Sequence, residues 1–241
     1  MLKRNPSLTD QAKAHIKQRI LDGHFEEGRI PSETELANEL GVSRTTIRDA
    51  LSRLENEGVV YRRQGAGTFV NKAGLQIKTR LEEIWSYEAV LQAHGYTPST
   101  RILGVAVEPA DAHVATELNL PAGAEIISVE KLFLEDDAPV IFTVNQIPRQ
   151  LIHEPYEDED WKVPIYEFLQ KHGPLHLSYY LSEIVPVVAA AEVAANLEIV
   201  AGAPLISFAE IGYGEENTPI LRAFSYIRDD LLRLRLIRRQ V

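Results

Sequence analysis

Ser43, Arg44, Thr45, Thr46 and Arg48 crowd five donor side chains into one short stretch. The apolar residues that follow, Ile47, Ala50, Leu51 and Leu54, recur at spacings of three and four, so one helix carries both sets on opposite faces. Two guanidiniums and three hydroxyls on the first turns of a helix suit one chemistry above others. Arginine bonds guanine O6 and N7 through two prongs, while hydroxyls and helix N-terminal amides hold phosphate. Arg62, Arg63 and Gln64 stand next to Gly65 and Gly67, and glycines let a basic hairpin tip approach a DNA backbone or minor groove closely. An ordinary solvated helix also carries arginines. What sets a DNA-reading helix apart is the set of elements that position these groups.

Those elements run from Pro31 to Val70. Ser32 followed by Glu35 is a capping box, and Leu36, Ala37 and Leu40 give the helix it starts an apolar face. Gly41 can take the left-handed angles of a helix end. Ser43 can cap the second helix, and Gly58 stops it. Two β-prone runs, Val59 to Tyr61 and Thr68 to Val70, flank the glycine-rich tip. Upstream, Ser7 with Asp10 caps a helix expected to run to Leu21, with Leu8, Ala12, Ile16 and Ile20 as its packing stripe. Asp22-Gly23 breaks it. His24 to Pro31 is read as a loop anchored by Phe25. A helix, a turn, a second helix and a hairpin place the second helix in the major groove.

The stretch from Ile16 to Val70 resembles the winged-helix DNA-binding domain of the GntR family of bacterial transcription regulators. P-S-E-x-E-L-A, V-S-R-T-T-I-R-D-A-L, L-E-x-E-G and Q-G-x-G-T-F-V carry the resemblance. It implies that Arg44 touches bases or phosphates, that Thr45, Thr46 and Arg48 are phosphate and base contacts, and that Gln64, Gly65 and Gly67 form the wing tip with Arg62 beside it. Ser32, Thr34 and Ser43, at the starts of the two helices of the motif, are expected to bind DNA with them. The family often has arginine where this chain has Thr34, so a hydroxyl replaces one charged contact.

Composition sets the frame. The chain has 241 residues and no cysteine, which excludes disulfides, cysteine-based zinc sites and thiol catalysis. With no signal peptide and no bilayer-length apolar run, a cytoplasmic protein is expected. The net charge of −10 is unevenly shared. Residues 1–72 hold 12 basic and 10 acidic side chains, a balance of +2, and the remainder carries −12. A basic face on a near-neutral domain suffices for phosphate attraction, and the acidic part is expected to point away from DNA.

After Val70 the pattern changes. Asn71 to Thr79 reads as a linker with Gly74 as a hinge candidate, and Leu81 to His94 as a helix with Ile84, Trp85, Glu88 and Leu91 on one flank. Strands are expected at Thr100–Val107, Ile126–Leu134, Val140–Ile147, Leu177–Val187, Leu205–Tyr213 and Ile220–Arg228. Helices are expected at Asp111–Leu120, Pro164–His172 and Ala189–Leu197. This is an α+β domain with a mainly antiparallel sheet.

It resembles the UTRA ligand-sensing domain of the HutC subfamily, through L-x-L-P-A-G-A-E-I-I-S-V-E-K-L-F, A-P-V-I-F-T-V-N-Q-I-P and P-I-L-R-A-F-S-Y-I-R-D-D. The resemblance covers about residues 85 to 235 and implies an effector cleft on the central strands and a chorismate-lyase-like fold. Many such domains hold phosphorylated sugars with two arginines and two acidic residues. The matching positions here are Lys131, Phe133, Thr143 and Leu221, so one cation remains and the carboxylates are replaced. The resemblance thus implies a more apolar pocket with one polar or anionic end at Lys131, and makes a sugar phosphate a poor fit. Ser178, Tyr180 and Arg228 are further lining candidates.

The expected organisation is a winged helix-turn-helix domain over 1–71, a linker over 72–80 and an effector-binding and dimerisation domain over 81–241. The expected partners are a double-stranded DNA operator, a small-molecule effector and a second copy of the chain, with no membrane, cofactor or metal. Two other readings fit the sequence less well. A lyase-like enzyme in the second domain lacks a Ser/His/Asp spacing or clustered ligands among its histidines, and Glu154 to Asp160 reads as a solvated loop. A non-specific architectural DNA binder has no use for a dedicated second domain.

Overall fold

The computed structural model describes residues 6–76 and 83–228, together with 230, 232 and 234. Residues 1–5, the linker stretch from 77, the start of the helix expected at Leu81 and residues 229, 231, 233 and 235–241 lie outside the described residues. The chain divides into two compact units, one within residues 1–80 and one spanning 81–234.

In the first unit, helix α1 (Leu8–Leu21) starts at Ser7, whose Oγ accepts from the Asp10 amide at 3.2 Å. Helices α2 (Glu33–Leu40) and α3 (Arg44–Asn56) follow as the caps direct. The capping box at Ser32 and Glu35 is formed in both directions, at 3.2 and 2.8 Å. Gly41 sits at φ +64°, the left-handed turn that separates the two helices. Ser43 Oγ accepts from the Thr46 amide at 3.0 Å. The stripe of α3 is the centre of the unit: Ile47, Ala50, Leu51 and Leu54 are buried, together with Ile16, Ile20 and Leu36. Glu57 binds Lys13 at 2.5 Å and Lys17 at 3.0 Å, which fastens α1 to the end of α3.

The wing has more strands than its sequence suggests. Strand β1 (Arg29–Ile30) lies where a loop was expected. It pairs with β3 (Gly67–Val70), which also pairs with β2 (Val60–Arg63), in the order β1-β3-β2. Two residues are too few to show a period, so β1 is made by its partner. Gly74 corrects the hinge expectation. It lies in a short 3-10 turn, and a Cβ there would stand 1.9 Å from the Gly58 carbonyl oxygen. Leu75 packs on the core of this unit, so the unit continues beyond residue 71.

The second unit is built on six antiparallel strands in the order β4-β5-β6-β9-β8-β7. They are β4 (Pro98–Pro109), β5 (Glu125–Glu135), β6 (Ala138–Pro148), β7 (Tyr179–Val188), β8 (Pro204–Tyr213) and β9 (Pro219–Arg228). Asp136 and Asp137, both at positive φ, make the two-residue turn between β5 and β6. Strands β5 and β6 are buried on both faces, which explains their near-continuous apolar runs. One face is covered by α5 (Ala112–Glu117) and α7 (Ala191–Asn196), which pack on Ile126 and on Leu132, Phe142 and Leu205. Helices α4 (Tyr87–Ala93) and α6 (Ile165–His172) lie against the other face.

Two local expectations change. Helix α4 begins at Tyr87 because Ser86 caps it, its Oγ accepting from the Ala89 amide at 3.1 Å. Residues 83–86 therefore approach it as non-helical chain. The acidic stretch before Lys162 is more than a solvated loop. It folds into a 3-10 turn, Asp158–Lys162, that buries Trp161 against Phe168 with ring centroids 3.4 Å apart.

Candidate functional sites: a helix face and a cavity

The first site is an exposed face of the first unit. Arg44, Thr45 and Arg48 are exposed on the first turns of α3, opposite its buried stripe. The Arg44 and Arg48 side chains make no hydrogen bond or ion pair among the described residues, and both residues are exposed. Ser43 and Thr46 are tied to each other, Oγ to Oγ1 at 2.9 Å, and thus also fix the start of the helix. Ser32 is engaged in its own capping box, and Thr34 is exposed beside it.

Arg62 departs from its expected role. Its guanidinium turns back to α3, with Nη2 donating to Ser52 Oγ at 3.1 Å and Nε lying 3.3 Å from Glu55 Oε2. In this position it braces the wing against the helix. Arg63 remains exposed and lies 5.8 Å from the Phe69 ring centroid. Gln64, Gly65 and Gly67 form the tip, with Gly67 at φ +112°. Arg29 lies across Gly67 and lines a groove with Arg63, Gln64 and Ser32. Sequence reasoning missed it because β1 was read as loop.

The second site is a cavity of about 720 Å³ on the α4/α6 face of the six-stranded sheet. Its floor is set by strand register. Lys131 on β5 lies opposite Thr143 on β6, Thr143 opposite Ser225 on β9, and Ser225 opposite Phe208 on β8. The next row holds Asn145, Ala223, Glu210 and Ser182. Trp85, Tyr87 and Glu88 close it from the start of α4, Pro164 to Tyr166 from α6, and Ser178 to Ser182 from β7.

Five of the seven expected residues converge here: Lys131, Phe133, Thr143, Ser178 and Tyr180. Leu221 does not. It is on the same face of β9 as Ser225, but it lies under α6 in the apolar core with Phe168 and Leu169. Arg228 is also misplaced by sequence, because strand alternation turns it to the opposite face. There it donates to the Pro139 carbonyl at 3.0 Å and pairs with Asp230 at 2.8 Å.

The cavity is also less apolar than expected. The carboxylates absent at Thr143 on β6 and Leu221 on β9 are replaced by Glu88 on α4 and Glu210 on β8. A signal for Glu210 was available, since a carboxylate in the middle of P-L-I-S-F-A-E-I-G-Y interrupts a strand otherwise fit for burial.

Burial governs the electrostatics. Lys131 is buried, and desolvation brings its ammonium down to about 8 against the opposing pull of Glu88. Its Nζ donates to the Val163 carbonyl at 3.0 Å. Glu88 Oε1 accepts from Thr100 Oγ1 at 3.0 Å, while its Oε2 is buried without a hydrogen-bond partner. Desolvation pushes the Glu210 carboxyl up, with the Ser182 hydroxyl bond working the other way. Burial, followed by the charge of Glu210, raises the Tyr87 and Tyr180 phenols. Buried charges and unmet acceptors on a hollow wall are features of a binding site.

The sequence agrees with known proteins over both units. Residues 8–70 match the profile described as "Bacterial regulatory proteins, gntR family", and residues 93–233 match the UTRA domain. The chain is 29% identical over 221 residues to the HTH-type transcriptional repressor NagR of Bacillus subtilis, covering 91% of this chain and 90% of that one. It is 28% identical over 197 residues to a histidine utilization repressor of Pseudomonas putida, covering 81% and 78%. Among solved structures, a possible transcriptional regulator YydK of Bacillus subtilis superposes with a TM-score of 0.76 at 16% identity, over 97% of this chain and 100% of that one.

Proposed function

Because this chain belongs to the gntR family of bacterial regulatory proteins, in the HutC subfamily that carries a UTRA domain, we propose that it is an effector-controlled repressor that binds a palindromic operator as a homodimer in the cytoplasm. It is a DNA-binding regulator of transcription and not an enzyme. The observation that carries the proposal is the pair of unengaged guanidiniums, Arg44 and Arg48, on a helix start held rigid by its own caps. Arg44 and Arg48 contact base edges and phosphates in the major groove, Thr45 and Thr46 contact phosphate, and Arg63 with the Gln64–Gly67 tip follows the adjacent backbone. Ser32 and Ser43 set the two helix starts, Thr34 lies exposed beside the first of them to meet DNA, and Arg62 holds the wing in place.

Two copies related by a two-fold axis would place their α3 helices in half-sites about 34 Å apart. Strand β7 supports a self-association role, as it ends the sheet and exposes Leu181, Ile184, Val185 and Val188. An exposed apolar edge is a template for pairing. The cavity on the sheet takes the effector, which shifts the population away from the arrangement that fits the operator. The test is fluorescence anisotropy with labelled DNA from the region upstream of the gene. Arg44→Ala and Arg48→Ala should each weaken specific binding, and operator affinity unchanged in both would refute the placement.

A further inference from the structure

The cavity walls restrict what the second unit can hold. Glu210 is the first constraint. It faces Ser182 across the β7–β8 ladder and accepts from that hydroxyl, and no cation pairs with it among the described residues. A carboxylate in a desolvated place without a counter-ion is unfavourable. The surroundings of Glu210 are aromatic: Tyr87 and Tyr180 are close enough for its charge to act on their phenols, and Phe208 stands two residues before it on β8. Trp85 completes this wall, with ring centroids 5.3 Å from Tyr87 and 6.1 Å from Phe208. Aromatic faces attract a cation and repel an anion.

Lys131 is the second constraint, because it cannot serve Glu210. Strand β5 is three positions from β8 in the sheet, about 14 Å across the ladders. The charge of Lys131 is instead felt by Glu88, whose Oε2 is buried without a hydrogen-bond partner. Glu83 lines the cavity too, so a dianionic phosphate ester would meet three carboxylates and one lysine among the described lining residues. Between the two ends, Thr143, Asn145 and Ser225 offer neutral hydrogen bonds from the floor.

Resting on the reading of this cavity as the effector site, we propose that its ligand is a small organic amine whose ammonium group sits against Glu210 within the wall of Trp85, Tyr87, Tyr180 and Phe208. The hydroxyl and amide row holds the neutral body of the ligand, and the Lys131–Glu88 end takes a polar substituent.

Isothermal titration calorimetry of the full-length protein with matched pairs tests this without any substitution. The pairs are tyramine with tyrosol, glucosamine with glucose and putrescine with 1,4-butanediol, and glucose 6-phosphate serves as the dianion. At least one amine is expected to bind at least tenfold more tightly than its hydroxyl partner, with no heat from the phosphate. Glu210→Gln should then weaken that amine at least tenfold. The proposal is overturned if no amine binds with a Kd below about 1 mM, or if a hydroxyl partner binds as tightly. In the second case, weakening by Phe208→Leu would keep the effector site while removing the amine. An amine whose affinity neither Glu210→Gln nor Phe208→Leu alters binds outside this cavity, and both readings then fall.

Discussion

The two units solve opposite physical problems. The winged-helix unit presents Arg44 and Arg48 to water on an exposed helix face, where they stay hydrated and need only a rigid base. The sensor unit takes its working groups out of water. Lys131, Thr143, Asn145 and Ser225 are buried, and Glu88 and Glu210 border the same hollow. An exposed arginine costs the fold almost nothing until DNA arrives. A buried lysine is a standing penalty that a ligand can relieve. The difference teaches where mutations should be felt. If the proposed roles hold, substitutions on the exposed face of α3 should change DNA binding without changing stability, whereas substitutions in the cavity should change both ligand binding and stability.

Four experiments would sharpen or break that contrast. The largest effect is expected from Leu51→Ala, which opens the centre of the first unit and should cost about 2–5 kcal/mol. Chemical denaturation followed by a probe in each unit should show only the first unit's transition moving. An equal shift in both would contradict the division. Next is Lys131→Met. The folded-state pKa of Lys131 lies at about 8, below the ordinary 10.5, so the folded form binds fewer protons than the unfolded one between those values. Its penalty is therefore full below pH 8 and is relieved as the pH rises toward 10.5. The full penalty is about 3 kcal/mol. Wild-type stability should climb through that window relative to Lys131→Met, and parallel pH profiles for the two proteins would show that the lysine is not held as described.

Arg44→Ala comes third. It should remove about 1–3 kcal/mol of operator affinity while leaving the melting temperature unchanged, and a melting shift of several degrees would mean that the two helix faces are not separable. The smallest effect belongs to Ser43→Ala. Losing the cap should cost the first unit about 1 kcal/mol, read as a lower denaturation midpoint.

The contrast also explains how much of each unit could be read in advance. In the first unit, caps, stripe and wing occupy one continuous run, and each is a relation between residues three or four apart. Ser32 with Glu35, Gly41 and Ser43 could be placed because their partners are local. Arg62 could not, because its bonds to Ser52 and Glu55 depend on how the hairpin folds back. In the second unit the strands were legible from period and turn residues, and all six appear near their expected limits. The cavity was only partly legible. Its walls join residues 83 to 225, and their meeting depends on strand order, which no local pattern encodes. Alternation within β9 would have turned Arg228 away from Ser225, but only once the cavity face was known. Glu88 and Glu210 were overlooked because the expected carboxylate positions were Thr143 on β6 and Leu221 on β9, whereas α4 and β8 supply the acids.

Gly74 bears on how the DNA-binding half could be used alone. Its backbone lies against the Gly58 carbonyl where any side chain would collide, and Leu75 fills a place in the core beside it. The wing is therefore clasped by the residues that follow it. A fragment cut at residue 71 would lose this clasp, leave an apolar slot beside the end of α3 and loosen the wing on which Arg63 and the Gln64–Gly67 tip are carried. A fragment ending at Gln76 keeps the clasp and is the shorter limit for an autonomous DNA reader, so a protease ladder across 70–76 should show resistance and operator binding arriving together.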